Sequence, residues 1–507
     1  MMKSFLSIAL LGCLYGSAQT PTPQWRPVYH FTPERNWTND PNGLLYLDGV
    51  YHLYNQQNPF ANVWGHMSWG HATSTDLIHW KHLPVALPEG ADTTERFSGC
   101  AVFDTHNTSG FCKGGKGCIV AIYTADQPNR KRESQYVAYS NDDGMTFTDY
   151  SGDPVIDLHR KDFRDPNVSW NDQLQQWLMV VSMVDEHKVR FYASPDLKSW
   201  SLLSEFGPYG YTGQAWECPA FFHLPVQGEP GVWKWVLAVS SGGPHGGPFI
   251  QYFIGDFDGK TFTAGQAPTL VRPVDYGNTF YAAIPWNGEP EDKRTYIGWL
   301  VPEPRATYPW RGAMSIPRDL SLREEGEEIV LCQQPSALIE GTLRTMTQKH
   351  FQYSGTPLGD GTAIGPEMYV GLGDWAGNAY WIKARFRLNT AGTVGLRLVG
   401  DQARGRSVVI SYDKTKGAVL VDRSRSDTAG LDADKLVQSI PVKPGADEIS
   451  LEVLMDKSIL EVFVNGGEQV LTTWVFPTKG QGRVWVFSDG GTSTIADLEG
   501  WNLENVP

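Results

Sequence analysis

A turn motif recurs through the first half of the chain and constrains the fold more than any other feature of the sequence. Its copies are residues 74–80 (STDLIHW), 140–147 (SNDDGMTF), 194–200 (SPDLKSW) and, more weakly, 255–262 (GDFDGKTF). Each copy follows a strand-like segment and ends at an aromatic residue, and these aromatics are 67, 53 and 62 residues apart. Chance recurrence of Asp-Gly hairpins is the alternative explanation. Repeats of this length in a chain of strands instead predict the blades of a β-propeller.

The segments around these turns alternate like β-strands and lack helical periodicity. Residues 49–54, 118–123, 177–182 and 233–238 are short, rich in β-branched or aromatic residues, and bounded by Gly, Pro, Asn or Asp. The predicted fold class is therefore all-β. Residues 25–325 provide enough chain for a five-bladed propeller, at roughly one repeat interval per blade.

The pattern changes after about residue 348. Residues 380–388, 393–398, 407–412 and 459–464 alternate cleanly between apolar and polar side chains. Strands of this kind have one buried and one wet face, which is typical of a β-sandwich. We therefore predict a C-terminal β-sandwich over residues 349–507, which a linker at residues 326–348 joins to the propeller.

The first 18 residues have the pattern of an export signal. Lys3 is followed by an apolar run over residues 5–14 and by the small residues Gly16, Ser17 and Ala18. The alternative is a lipoprotein signal, in which Cys13 would be lipidated. No later segment is long and apolar enough to predict a membrane span, so we expect a secreted or periplasmic protein.

The charge balance narrows the class of partner. The chain has 42 Lys and Arg against 56 Asp and Glu, a formal net charge of −14. Nucleic-acid binding requires a basic face, so we expect no nucleic-acid partner. An acidic soluble chain suits a neutral ligand instead.

Five cysteines follow the export segment, so at least one thiol must be free. Cys112 and Cys118 flank a glycine-rich loop that is able to close on itself, which makes them the candidate disulfide. No pair has the spacing of a zinc site, and we expect neither a metal nor an organic cofactor.

Three acidic residues lie in unusual segments. Asp40, Asp165 and Glu217 each precede a proline by one or two positions, which fixes the backbone at a strand end. Taken singly, each has a structural explanation as a turn former, an ion-pair partner or a buried acceptor. Taken together, they fall in three successive predicted blades, whose innermost strands converge on the propeller channel. Two carboxyl groups in a sugar-sized funnel are what glycoside hydrolysis requires.

These segments also carry a family resemblance. Residues 36–43 (NWTNDPNG), 163–167 (FRDPN) and 216–219 (WECP) resemble the three signature boxes of glycoside hydrolase family 32, the invertase, inulinase and levanase family. The resemblance extends through residues 52–59, 64–71, 97–99, 251–255, 308–318 and 463–467. It therefore covers almost the whole chain after the export segment, and it implies a five-bladed propeller followed by a β-sandwich.

The resemblance implies a role for each carboxylate. Asp40 matches the nucleophile, Glu217 the general acid/base, and Asp165 the residue that binds fructose hydroxyls and stabilises the transition state, with Arg164 beside it. Further positions match residues that line the sugar pocket in relatives; these are Trp37, Asn39, Gln56, Trp64, Phe97 and Ser98. For Trp64 and Phe97, packing in the core is the structural alternative.

The chain departs from many microbial relatives in two places. Glu303 stands where those relatives have a tryptophan of the fructose pocket, and plant invertases have glutamate there. Thr279 stands where an aspartate is usual. We expect these departures to bear on the choice among sucrose, inulin and levan, with Glu303 contacting substrate.

The predicted function is that of an exported, retaining β-fructofuranosidase that releases fructose from the non-reducing end of sucrose or fructans. A transfructosylase with the same fold and a catalytically inactive carbohydrate-binding protein are the alternatives. Retention implies carboxyl groups about 5–5.5 Å apart. The β-sandwich has no acidic box, so we expect no chemistry there, and we expect it to cover the propeller flank or to contact polysaccharide or a second copy in a homo-oligomer.

Overall fold

The computed structural model describes residues 21–127, 129, 131–244, 246–305, 307–347, 350–361, 363–364, 377–401, 405–477 and 483–504. The predicted export segment and Cys13 lie outside these residues. Within them, no helix has the length and apolar character needed to cross a bilayer.

Antiparallel sheets of four or five strands form the first three blades of a propeller. The first sheet contains β1 (Asn36–Leu47), β2 (Val50–Asn58), β3 (Ser68–Ser74) and β4 (Lys81–Leu87). The second contains β5 (Glu95–Phe103), β6 (Ile119–Gln127), β7 (Arg132–Ser140), β8 (Thr148–Asp149) and β9 (Ile156–Arg160). The third contains β10 (Phe163–Asn171), β11 (Gln176–Met183), β12 (Lys188–Ser194) and β13 (Ser201–Phe206).

The last two blades are joined at one edge. The fourth contains β14 (Glu217–Gln227), β15 (Trp233–Gly242), β16 (Pro248–Phe257) and β17 (Phe262–Ala264). The fifth contains β18 (Phe280–Pro285), β19 (Thr295–Leu300), β20 (Trp310–Arg311), β21 (Ala313–Met314), β22 (Arg318–Glu325) and β23 (Glu328–Pro335). The end of β14 pairs in parallel with β22, while β20 pairs in parallel with β1 and so connects the fifth blade to the first.

The repeated turn motif lies at the end of the third strand of four blades, where it stabilises a tight turn. In the first copy the Ser74 hydroxyl accepts the backbone N–H groups of Asp76 and Leu77, at 3.1 and 2.8 Å. Leu77 has a left-handed backbone, with φ of +65°. Ser194 and Asp196 make the equivalent contacts in the third blade. The repeat is therefore a capped turn, and its spacing measures the length of a blade.

The innermost strands close into a ring. The first strands of the blades are β1, β5, β10, β14 and β18; each lies beside the next, and β18 also lies beside β1. Each of the five has a β-bulge near its start, where it carries one extra residue relative to its partner strand. A second bulge follows in β1, between Asn42 and Leu45. The five bulges near the strand starts lie at the same end of the channel. They give the channel mouth an irregular backbone that can aim side chains inward.

Two six-stranded antiparallel sheets form the C-terminal β-sandwich. One sheet contains β24 (His350–Leu358), β26 (Ala379–Leu388), β31 (Glu448–Asp456), β32 (Ile459–Val464), β33 (Gln469–Trp474) and β35 (Ser493–Asn502). The other contains β25 (Ala363–Ile364), β27 (Thr393–Asp401), β28 (Arg406–Asp413), β29 (Ala418–Asp422), β30 (Val437–Pro441) and β34 (Arg483–Asp489). Short 3-10 turns occur at Pro23–Trp25, Val184–Glu186 and Ala433–Lys435. The predicted all-β fold class, a five-bladed propeller followed by a β-sandwich, is confirmed.

The segment predicted as a linker contains regular structure. Residues 328–335 form β23, which pairs along its length with β22 as the outer strand of the fifth blade. The helix α1 (Ala337–Met346) follows, and it buries Ile339 and Leu343 in the core that the propeller shares with the sandwich. The chain therefore passes between its two parts as a packed strand and helix.

The first sheet of the sandwich is buried on both faces. In β32, Leu460, Val462 and Val464 point into the sandwich core, whereas Ile459 and Phe463 pack in the core shared with the propeller. The prediction of a wet face is therefore wrong for residues 459–464, all of which are buried. Alternation indicates that the two faces differ, but it does not indicate whether water or another domain covers the second face.

A buried ionic network crosses the same interface. The Asp456 carboxylate accepts three consecutive backbone N–H groups at residues 28–30 and the His30 ring, the last at 2.8 Å. Arg318 of the fifth blade pairs with Glu461 of the sandwich at 2.9 Å and with Asp275 at 3.2 Å. Because these groups are shielded from water, leaving any one of them unpaired would be costly. The network therefore fixes the sandwich in one orientation on the propeller.

Candidate active site

Three bulged strands place the predicted carboxylates at one end of the channel. Asp40 lies in the bulge of β1, Asp165 in the bulge of β10, and Glu217 directly before the bulge of β14. Asp165 and Cys218 occupy equivalent positions and both have a left-handed backbone, with φ of +66° and +46°. Backbone strain of this kind is rare for residues other than glycine, and it is concentrated at functional sites.

The thiol of Cys218 lies between two of the carboxylates. Its Sγ atom is 3.5 Å from Oδ2 of Asp40 and 3.5 Å from Oδ2 of Asp165. The Cys218 backbone N–H also donates to Asp165 Oδ2 at 2.9 Å. Burial and the three nearby negative charges raise the pKa of the thiol well above its usual value, so the group is a neutral SH. Asp40 and Asp165 therefore meet across a neutral spacer, although 125 residues separate them in the chain.

Asp40 is bound by neutral donors. The Ser98 hydroxyl, in the bulge of β5, donates to Asp40 Oδ2 at 2.6 Å. Burial raises the pKa of Asp40, and the charge of Glu217 raises it further, whereas hydrogen bonds from Ser98, Asn39 and Cys218 lower it. No cation contacts Asp40 within the described residues, so its oxygen atoms are available to an electrophile.

Glu217 is held from both sides. Arg164 donates to Glu217 Oε1 from Nε at 3.0 Å and from Nη2 at 2.7 Å. The Tyr281 hydroxyl donates to the other oxygen, Oε2, at 2.6 Å. Burial, and after it the negative charge of Glu217, raise the pKa of Tyr281 well above its usual value, so this phenol stays protonated. The environments of the two carboxylates are therefore different: Asp40 has neutral donors, and Glu217 has a guanidinium and a phenol.

Arg164, Glu217 and Tyr281 occupy equivalent positions on three successive innermost strands, each directly before the bulge. Neighbouring blades therefore bring the three side chains together in one row across the mouth of the channel. The row continues outward through Glu133, whose two oxygens accept from Arg164 at 3.0 and 3.1 Å, and through Asp162 at 3.1 Å.

The partners of Arg164 differ from the sequence expectation. The sequence predicted that the Arg164 guanidinium lies beside Asp165. In the structure its hydrogen bonds are accepted by Glu217, Glu133 and Asp162. Successive residues of a strand point to opposite faces, so Arg164 reaches the neighbouring blade while Asp165 faces the channel. The charge of Arg164 still lowers the pKa of Asp165, but burial outweighs it and raises that pKa to about 7.

Aromatic rings surround the mouth of the site. Trp64 is 54% exposed, and its ring meets that of Phe97 edge to face, with centroids 6.0 Å apart. The rings of Trp37 and Trp299 also meet edge to face, with centroids 5.9 Å apart. The centroid of the Trp299 ring is 6.4 Å from that of Tyr281. The exposure of Trp64 excludes core packing as the reason for its presence. These rings offer apolar faces next to the carboxylates.

Two of the predicted pocket residues make structural contacts. The Asn39 side-chain oxygen accepts the indole N–H of Trp37 at 2.9 Å, which orients that ring. The Gln56 amide donates to the backbone carbonyl of Arg96 at 2.7 Å and so connects the first blade to the second. Both side chains are buried. They hold the parts of the site that carry Trp37, Phe97 and Ser98.

Glu303 lies at the interface with the sandwich. Its Oε1 atom accepts from Arg423 of the sandwich at 2.9 Å and from Asn278 at 3.1 Å. Arg423 is fully buried and needs an anion at this point. Thr279 is also buried there, and it donates to the backbone of Thr472. A direct role of Glu303 in substrate binding stays a prediction, and its partners favour a role at the interface.

Tyr281 and the position of Cys218 were not predicted from the sequence. Cys218 lies directly after Glu217 in the segment 216–219, and Tyr281 lies two residues after Thr279. Alignment of the five innermost strands with one another would have placed Tyr281 level with Arg164 and Glu217.

Cys112 and Cys118 form a disulfide in the structure, with Cα atoms 5.0 Å apart. It closes the loop between β5 and β6. Cys100, Cys218 and Cys332 are free and buried. Among the residues that the structure describes, no group of three or more His, Cys, Asp or Glu side chains has a metal-binding arrangement.

Two family models together match most of the chain. The model of the glycosyl hydrolases family 32 N-terminal domain matches residues 30–335, and that of the family 32 C terminal matches residues 342–502. Both matches fall on the parts that the structure shows as propeller and sandwich.

Curated relatives and solved structures agree with these matches. A levanase of Bacillus subtilis is 39% identical over 94% of this chain and 70% of its own length. The extracellular exo-inulinase inuE of Aspergillus niger is 38% identical over 99% of this chain and 98% of its own.

Among solved structures, the exo-inulinase of Aspergillus awamori has a TM-score of 0.85 at 35% identity and covers 94% of this chain and 98% of its own. A β-fructofuranosidase of Schwanniomyces occidentalis, complexed with fructosyl-erythritol, has a TM-score of 0.85 at 29% identity over 95% of this chain and 98% of its own. From the family models, the identities and the shared architecture, we conclude that this chain belongs to glycosyl hydrolases family 32.

Proposed function

We propose that the protein is a retaining β-fructofuranosidase that releases fructose from the non-reducing end of sucrose or a fructan. The observation that carries the proposal is the pairing of two differently held carboxyl groups, Asp40 and Glu217, at one end of a narrow channel. The names levanase and exo-inulinase, which similar proteins carry, support a substrate built from fructose.

Asp40 is the nucleophile in this proposal. In the first step one of its carboxylate oxygens attacks the anomeric carbon of the terminal fructosyl unit while the bond to the leaving oxygen breaks. The neutral donors around Asp40 support this role, because an ion pair with arginine would stabilise the carboxylate in the ground state. Its negative charge is consumed as the fructosyl ester forms.

Glu217 is the general acid in the first step and the general base in the second. It transfers a proton to the leaving oxygen, then removes a proton from a water molecule that attacks the anomeric carbon and displaces Asp40. Arg164 and Tyr281 hold the carboxyl group in one orientation throughout.

Asp165 is the fructose-binding carboxylate in this proposal. Its Oδ2 atom already accepts from the backbone of Cys218, so the other oxygen is left for sugar hydroxyl groups. Ser98 orients the nucleophile, and the rings of Trp37, Trp64 and Phe97 cover the apolar faces of the sugar. Arg164 holds Glu217 through two hydrogen bonds, and contact of Arg164 with the substrate stays a prediction.

The decisive experiment identifies the first product before it mutarotates. Two inversions at the anomeric carbon return the configuration of the substrate, so NMR of a fresh digest of sucrose should show β-fructose first. Release of α-fructose would refute Asp40 as the nucleophile and assign it the role of a base. Absence of fructose release from sucrose, inulin and levan would refute the proposed function as a whole, in favour of a binding protein.

Export and assembly are two further parts of the proposal. We propose that residues 1–18 direct export and are removed, and the extracellular exo-inulinase among the relatives supports this. N-terminal sequencing of the secreted protein should then begin at Gln19, whereas a lipidated Cys13 would show as a membrane-bound form. A homo-oligomer formed through the sandwich stays a prediction, for which sedimentation velocity of the full chain is the measurement.

A further inference from the structure

The propeller has a second concave surface, at the end of the channel opposite the carboxylates. The innermost strands begin at the catalytic end, so the far ends of β10 and β14 and the residues after β18 lie at the other mouth. A cavity of about 530 Å³ opens there between the third, fourth and fifth blades. Cavities of this size are typical of small-molecule sites. We call this surface the lower trench.

Aromatic rings line the lower trench on two sides. Trp233 of the fourth blade is 38% exposed, which is unusual for a large apolar ring on a structured strand. Trp170 of the third blade is partly exposed, and its ring is supported edge to face by Trp177, with centroids 5.1 Å apart. Rings that are fixed from behind and open in front offer flat apolar faces, which suit the apolar face of a sugar ring.

The polar lining favours a neutral ligand. Asn171 and Gln173 contribute amide groups, which both donate and accept hydrogen bonds. Two of the three carboxylates that line the trench already have partners: Glu289 pairs with Lys293 at 3.1 Å, and Glu291 contacts the His223 ring at 3.0 Å. The other charged lining groups, Asp172 and Arg294, have opposite signs. The trench therefore offers a phosphate a single guanidinium, which disfavours anions as ligands. This leaves polyhydroxylated neutral molecules as the class of ligand that the surface suits.

The trench extends beyond one cavity. A second hollow, of about 360 Å³, lies towards the first and second blades, and Ser169, Trp170 and Asn287 line both. Trp170 therefore stands at the junction, with space on either side. A surface of this shape suits a ligand longer than one sugar unit.

We propose that the lower trench binds a neutral polysaccharide chain, namely the fructan of the proposed function, at a site separate from the catalytic carboxylates. The proposal rests on the proposed function for the identity of the sugar. Its consequence is that a fructan held at the lower face keeps other chain ends near the catalytic mouth, which raises their effective concentration. Sucrose is too short to gain from this effect.

The test measures polymer binding separately from turnover. The full chain carrying Glu217→Gln, which does not consume the polymer, is run through native gels that contain inulin or levan, with saturating sucrose to fill the catalytic pocket. We expect its migration to be retarded. Trp170→Ala and Trp233→Ala should each weaken the retardation about three- to tenfold, the equivalent of one aromatic contact. Trp233→Phe, which keeps an aromatic face, should retain most of it.

Two controls distinguish loss of sugar binding in the trench from loss of the folded structure. Val232→Ala removes an exposed neighbour that does not line the trench, and it should leave the retardation unchanged. With Glu217 intact, Trp170→Ala and Trp233→Ala should keep the wild-type kcat/KM for sucrose while losing activity on long fructans at low concentration. A parallel loss on sucrose would overturn the proposal.

The remaining outcomes are equally decisive. Unchanged retardation in the Trp170→Ala, Trp233→Ala double variant would refute the trench as a sugar site, while fructose release by the wild-type enzyme left the proposed function intact. A dimer in sedimentation that the double variant loses would identify a second copy of the chain as the occupant and would also refute the sugar. Failure of the wild-type enzyme to release fructose from any of the three substrates would refute the proposed function itself.

Discussion

Replacement of Tyr281 by phenylalanine tests how the acid/base carboxyl is held. The Tyr281 hydroxyl donates to Glu217 Oε2 at 2.6 Å, a short bond of the charge-assisted kind. Phenylalanine keeps the ring, and so the edge-to-face contact with Trp299, while it removes only the donor. The substitution therefore isolates one hydrogen bond to the charged form of Glu217.

The expected loss of rate follows from the strength of that bond. A hydrogen bond to a charged group contributes about 1.5–3 kcal/mol, and about 1.4 kcal/mol corresponds to a factor of ten in rate. Arg164 still donates twice to Glu217, and the partly exposed carboxyl can recruit water, so the lower value applies. Without the phenol, one oxygen of Glu217 loses the donor that orients it. The kcat for sucrose should therefore fall about tenfold.

The assay is the initial rate of fructose release at saturating sucrose, measured for both proteins at one pH. Tyr54→Phe is a matched control, because the Tyr54 hydroxyl, on β2 of the first blade, is a buried donor to the Gly144 carbonyl of the second blade at 3.0 Å. It should change stability without lowering kcat. An unchanged kcat in Tyr281→Phe would refute the role of the phenol in orienting Glu217.

Three further predictions follow from the same contacts. Asp40→Asn and Glu217→Gln should each lower kcat by a factor of about 10³ or more, because no neighbouring group can take over either step. The circular dichroism spectrum should not change. Near-normal turnover in either variant would refute the catalytic role of that residue. Ser98→Ala removes a hydrogen bond that lowers the pKa of Asp40, so the acid limb of the pH profile of kcat/KM should move to higher pH. An acid limb that did not move would show that Ser98 does not affect the pKa of the nucleophile. Burial opposes the charge of His30, but its bonds to Asp456 and Glu461 raise its pKa from 6.5 to about 9. The stabilisation is therefore complete below pH 6.5 and is lost as the pH rises through 9, so denaturant unfolding should show a decline of about 3 kcal/mol over this window that is absent in His30→Gln.

The sequence predicted the parts of the fold that depend on local chemistry. The turn motif recurs after the third strand of four blades, so its spacing indicated the length of one blade. The boxes around Asp40, Asp165 and Glu217 stood out because a proline within two residues is unusual in an inner strand. These signals are short-range and can be read from adjacent residues.

The parts that the sequence did not predict depend on contacts between distant segments. The bond between Glu303 and Arg423, 120 residues further on, is one such contact, while substrate binding by Glu303 stays a prediction. Alternation in residues 459–464 suggested a wet face, and the propeller covers that face. A one-dimensional pattern records which residues share a face, whereas the identity of the surface that covers the face is a property of the folded chain.

The five bulges explain how one site is assembled from five blades. In a regular strand, side chains point alternately into the channel and into the neighbouring blade, and their directions cannot be varied. One extra residue near the start of each innermost strand breaks this alternation at the same level in every blade. Asp40 and Ser98 occupy the second residue of their bulges, where they meet. Asp165 and Cys218 occupy the first residue of theirs. Arg164, Glu217 and Tyr281 each lie directly before a bulge. The site therefore consists of three rows of side chains at successive positions of the bulges, and each blade contributes to one or two of these rows. A substitution in one blade changes only the side chains that this blade contributes, while the ring that holds them stays the same.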